Sequence, residues 1–228
     1  MNLKRPSIIR NRSLAAGLIA LLLVAGLAPV AGEPDDLALA MNEQVLADRR
    51  IAAEYVRTGN NSLAAVTLQR LSKTLAGSAH ADLAAAALKA AERGDATAAS
   101  ERLEELAEAL AEDRHAGDQR VFADCIREAK KVYDPLDAYR IEKPDLKVST
   151  TAVAISAAAA SASAALERCE AEAGPTVANN PDFKRIVAGA RRALEQVATA
   201  VDAEDADQLP GLLTDLRAYM DLLLFHYG

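Results

Sequence analysis

The sequence predicts an all-α protein of seven to nine helices arranged as up-down bundles, and three observations carry that expectation. Ala far outnumbers every other residue among the 228, while Trp is absent and only eight aromatics occur, a composition that favours helix over strand. Val, Ile and Thr seldom alternate with period two, and an apolar fraction of 51% excludes a disordered chain. Gly, Pro and Asn punctuate amphipathic stretches at helix-length intervals. The formal charge is −7, and the first 32 residues hold Lys4, Arg5, Arg10 and Arg12 but no acid. Removing those four charges leaves −11 on residues 33–228. So negative a chain is poorly suited to nucleic acid.

Residues 1–32 read as a secretory signal peptide. A basic start gives way to an apolar run from Leu14 to Leu27, then Pro29 and small residues up to Gly32. The run is shorter than the roughly 20 residues that span a bilayer, so cleavage after Gly32 with no remaining membrane span is expected. That places the protein in the periplasm or outside the cell. In such an oxidising compartment Cys125 and Cys169 are expected to pair, closing a loop for which chain entropy gives on the order of 4 kcal/mol.

Residues 33–116 are expected to form an N-terminal bundle of four helices. The first runs from about Pro34 to Arg57, with Leu37, Met41, Val45, Ala52 and Tyr55 on one stripe that Asp48 interrupts. Asn61 and Ser62 are the caps read for the second, whose Leu68, Leu71 and Leu75 precede Gly77. A third covers about Ala79 to Arg93, and Asp95 caps a fourth that reaches about His115, with Gly117 closing the set.

Residues 117–228 form the expected C-terminal bundle. Its opening helix carries Phe122, Cys125, Ile126 and Ala129, with Pro135 and Pro144 bracketing an irregular connection. The next, about Thr150 to Ala173, is almost uncharged up to Leu166, and its Ala and Ser content suits burial in a bundle better than a membrane. Asn180-Pro181-Asp182 starts a further helix, and the last presents Leu213, Leu216, Met220, Leu223 and Tyr227 on one broad face. The aromatic end, with Tyr219, Phe225 and Tyr227, is read as a packed core element.

Chemistry-bearing patterns are sparse. Glu112 and His115 have the i, i+3 spacing of half a carboxylate-bridged di-iron set, but no second Glu-x-x-His accompanies them. Glu101, Glu104, Glu105, Glu108 and Glu112 share one helix arc, read as a solvated face. No G-x-S-x-G, H-E-x-x-H or phosphate-binding loop occurs, so no catalytic residues or cofactor are assigned. The first reading is therefore a non-enzymatic module for an unidentified periplasmic protein or small ligand.

The segment Asp35 to Met41, together with Asn180 to Lys184 and Tyr219 to Gly228, resembles the periplasmic four-helix-bundle cytochromes of soluble b-type and c-prime type. The resemblance implies an early axial Met and a late axial His, positions that Met41 and His226 occupy. On that alternative the protein is a haem or metal binder. The Cys-x-x-Cys-His attachment motif of c-type haem is absent, and the chain is nearly twice the length of one such bundle.

Overall fold

N-cap side chains set half of the helix starts in the computed structural model, which describes residues 35–228. The signal-peptide reading of residues 1–32 lies outside the described residues. Ten helices and no strand occur among those described, so the all-α expectation holds. They are α1 (Asp36–Ala40), α2 (Glu43–Arg57), α3 (Asn61–Thr74), α4 (Ala81–Glu92), α5 (Ala96–Ala116), α6 (Phe122–Ile141), α7 (Ser149–Glu172), α8 (Pro175–Ala178), α9 (Pro181–Asp202) and α10 (Leu209–Tyr227).

The first expected helix is divided. Asn42 accepts from the N–H groups of Gln44 and Val45, so a fresh helix starts there and Met41 ends α1. The α3 cap is Asn60, which accepts from Leu63 N–H, one residue before the Asn61 expected from the sequence. Asp95 and Asn180 cap α5 and α9 where the sequence places them. Pro135, expected to end a helix, lies inside α6. Tyr133 and Leu136 on either side of it are fully buried, while Pro135 and Lys131 are exposed. The carbonyl that proline deprives of a donor is thus on the wet face, and core packing outweighs the lost bond.

Packing follows two rings. Helix α2 packs on α3, α3 on α4, α4 on α5, and α5 back on α2; α6, α7, α9 and α10 close a second ring in the same manner. Each ring has its own apolar cluster, one from Ala40 to Leu110 and the other from Cys125 to Leu223. Both belong to one compact unit. Cys125 on α6 and Cys169 on α7 are joined as a disulfide with Cα atoms 5.6 Å apart, so the expected bond is present in the second ring.

Helix α7 is less enclosed than its sequence suggests. By length and composition it qualifies as a membrane span, yet only 28% of its most apolar window is buried. Ile155, Ala159, Ala162, Leu166 and Cys169 pack inward against α6 and α9, and Val153 on the far side is 67% exposed. The small side chains let one face pack closely and leave the other open.

Two glycines mark close approaches. A Cβ on Gly117 would lie 2.6 Å from the tip of Leu37 of α1, which would have to turn aside, and it is the neighbour Asp118 that takes the left-handed conformation. A Cβ on Gly189 would lie 2.5 Å from two ring atoms of Tyr219. Alanine in mid-helix normally gains about 1 kcal/mol over glycine, whereas overpacking costs about 1–3 kcal/mol. Gly189→Ala is therefore expected to lower stability by about 1 kcal/mol in denaturant melts and to raise it when Tyr219 is also alanine. A stabilising Gly189→Ala in the otherwise native chain would show that the ring does not pin α10 on α9.

Candidate functional site: an arginine cleft between the rings

Several buried polar groups are fully answered. Asp48, which breaks the apolar stripe, accepts from Arg70 Nε and Nη2 at 2.6 and 2.5 Å and from Gln44 Nε2 at 2.7 Å. His80 Nε2 sits 2.5 Å from Asp113 Oδ2, tying the α3–α4 connection to α5. Arg114 and Asp124 form a bidentate ion pair with both side chains 2% exposed.

Arg49 differs from all of these. It continues the stripe of Val45, Ala52 and Val56, and only 7% of it is exposed. Its Nη2 donates to the Gly228 backbone oxygen at 2.8 Å, but no carboxylate side chain pairs with it among the described residues. Burial, with the nearby Arg127 guanidinium second, pulls its pKa down to about 9, so the group still carries its charge at neutral pH. Its remaining nitrogens are not sealed from solvent, since no Arg49 atom is both fully buried and unbonded. Arg49 borders a cavity of about 190 Å³ at the seam of the two rings, between α2, α5, α6 and α10.

The i, i+4 spacing of one α2 face supplies Arg49, Arg50, Ala53, Glu54 and Arg57 to this cavity. Glu54 is held by Arg57 at 2.6 Å, and Glu104 of α5 by Arg127 of α6 at 2.6 Å. Arg50 forms no ion pair among the described residues, and burial lowers its pKa as well. Arg50 is thus left without an acidic partner and Arg49 has the Gly228 backbone oxygen alone, and Leu224 and Phe225 of α10 complete the lining. Their apolar side chains exclude water from one side of the cavity and strengthen any charge interaction on the other.

The residues singled out from the sequence are elsewhere. Met41 sits in the turn between α1 and α2 and joins neither apolar cluster, and His226 is exposed in the last turn of α10, edge-on to Phe225 with ring centroids 4.9 Å apart. Axial ligation across a bundle requires both side chains to enter one core, and neither does. Glu112 and His115 line a separate cavity of about 280 Å³ with Asp124 and Lys131, and no group of three or more His, Cys, Asp or Glu close enough to hold a metal occurs among the described residues. The glutamate arc on α5 is more than a solvated face: Glu104 reaches Arg127 and Glu108 reaches Lys131 on α6, joining one ring to the other. Sequence reasoning missed the arginine cleft. The available signal was Arg49 itself, a charged residue in register with an apolar stripe. No family model, curated protein or solved structure compared with the chain matches it.

Proposed function

We propose that the chain is an exported, non-enzymatic binding module whose ligand is a small anion held in the arginine cleft between the two helix rings. The observation that carries this reading is the half-buried Arg50, which forms no ion pair among the described residues and borders the cavity beside Arg49, itself bonded to the Gly228 backbone oxygen. An anion that binds a partly desolvated guanidinium in the folded state alone raises stability through its binding free energy. The cleft carboxylates Glu54 and Glu104 are engaged by arginines, which favours binding over proton transfer as the role of the site. Export rests on the basic and apolar pattern of residues 1–32 and on the Cys125–Cys169 bond.

Expression of the full chain in a Gram-negative host, with osmotic-shock fractionation, is expected to release a shortened protein with no free thiol. Inorganic phosphate in the millimolar range is expected to raise its melting temperature, and Arg50→Gln to reduce that rise. Protein retained in the cytoplasm overturns export, and a melting temperature indifferent to phosphate and to acetate overturns the anion site.

A further inference from the structure

The two rings meet along a polar seam. Each apolar cluster is confined to one ring, and Leu46, Ala107 and Ala123 are the buried apolar residues among those described that belong to neither. Where α10 rests on α2, Arg49 donates to the Gly228 backbone oxygen at 2.8 Å. Between α5 and α6 the links are the Arg114–Asp124 pair, Glu104 with Arg127 at 2.6 Å and Glu108 with Lys131 at 2.8 Å. The cavity of about 280 Å³ between these two helices has Ala111 as its one apolar lining residue. Glu104, Glu108 and Lys131 are about half-exposed, and ion pairs so placed contribute little and are screened by salt. Like charge also acts across the seam: burial first, and then Arg127 of α6, pulls the pKa of Arg49 on α2 down to about 9. Parting the rings lets water reach both guanidinium groups.

One short stretch, residues 117–121, joins the rings along the chain, and Asp118 within it takes the left-handed conformation. Arg114 and Asp124 flank it, each with 2% of its side chain exposed, so this end of the seam is the tightly closed one. Glu108 and Glu104 stand about two and three turns farther back along α5. We infer that the rings are two bodies that swing about residues 117–121, with Arg114 and Asp124 as the pivot and the Glu104–Arg127 and Glu108–Lys131 pairs as an ionic latch. Release of the latch widens the cleft that Arg49 and Arg50 border, and water replaces the Gly228 oxygen on Arg49. The latch sets access to the cleft whether or not an anion binds there, so it stands apart from the anion reading.

Small-angle X-ray scattering of the full, disulfide-intact protein tests this, with circular dichroism recorded on each sample. Raising sodium chloride from about 0.1 to about 1 M, which shortens the Debye length from about 10 to about 3 Å, is expected to increase the radius of gyration by about a tenth at unchanged helicity. Glu104→Lys with Glu108→Lys sets like charges against Arg127 and Lys131 and is expected to give the larger radius already at the lower salt. Salt is then constant, which separates repulsion from chloride binding in the cleft. Adding Arg127→Glu and Lys131→Glu restores opposite charges and is expected to restore the smaller radius. A radius that stays small in high salt or after the first two substitutions overturns the latch, as does a large radius that the complete charge swap fails to close. Loss of helicity in the reversed chain overturns the two-body reading, because rings that fold only together cannot swing apart intact.

Discussion

A chain ending at Asp221 is expected to lose its cooperative melt and to be cut rapidly by protease at room temperature. Leu223, which such a chain lacks, is fully buried in the second core. Tyr227 meets Phe183 and Phe122 edge-on, with ring centroids 5.2 and 6.1 Å away, and Phe122 and Phe183 meet each other at 5.6 Å. Burial of one large apolar side chain is worth about 1.5–3 kcal/mol, and each aromatic pair about 0.5–1.5 kcal/mol beyond it. The cut also strips Arg49 of its bond to Gly228, stranding a buried cation. Domains of this size are stable by about 5–15 kcal/mol, so the combined loss is comparable to the whole. A truncated chain with native helicity and an unshifted melting temperature would overturn this account.

The same segment shows how far the sequence carries. Periodicity correctly puts Leu213, Leu216, Met220 and Leu223 inward, because an amphipathic helix has one direction in which to bury them. It also puts Tyr227 on that face and leaves Leu222 and Phe225 off it, whereas the expectation that Phe225 packs inside rests on the aromatic count, which carries no direction, and Phe225 is 39% exposed. Helix starts at Asp95 and Asn180 are legible because a capping side chain needs only local geometry. Pro135 misleads for the opposite reason: whether a proline ends a helix depends on whether the freed carbonyl faces water, which is a tertiary property. A parallel between the halves is visible in sequence as Ala87-Leu88 then Asp95 against Ala193-Leu194 then Asp202. The structure sets the turns in a different register, with Asp95 N–H on the Ala90 carbonyl and Asp205 N–H on the Ala200 carbonyl after the left-handed residues Gly94 and Glu204. The arginine cleft lies beyond local reading altogether, because its walls come from four helices that meet only in the folded chain.

Asp124→Ala is expected to destabilise the protein by about 3–5 kcal/mol, the range for stripping one partner from a buried ion pair. Three elements converge on this pair. Arg114 of α5 holds both oxygens of Asp124 at the start of α6, and its Nη1 donates to the Ala40 carbonyl of α1 at 2.8 Å. Asp124 also accepts from Val121 N–H at 3.0 Å, capping the helix that opens the second ring. Without the carboxylate, a guanidinium with 2% exposure keeps its charge and loses its counter-ion. Replacing both partners, as in Arg114→Met with Asp124→Ala, is expected to recover much of the loss, because the stranded charge rather than the missing attraction dominates. The pH dependence follows from the same contacts. Burial alone raises the Asp124 carboxyl, but the Arg114 and Val121 hydrogen bonds and the Arg114 charge outweigh it, so its pKa lies below the ordinary 3.8. Stability drawn from the pair is thus fully present above the unfolded value and disappears as pH falls through the lower folded one. In urea melts the deficit of Asp124→Ala against the native chain should be constant from pH 7 to 5 and shrink below pH 4. A deficit that persists undiminished at low pH, or a double variant no more stable than Asp124→Ala, would show that the α1, α5 and α6 junction is held by packing rather than by this ion pair.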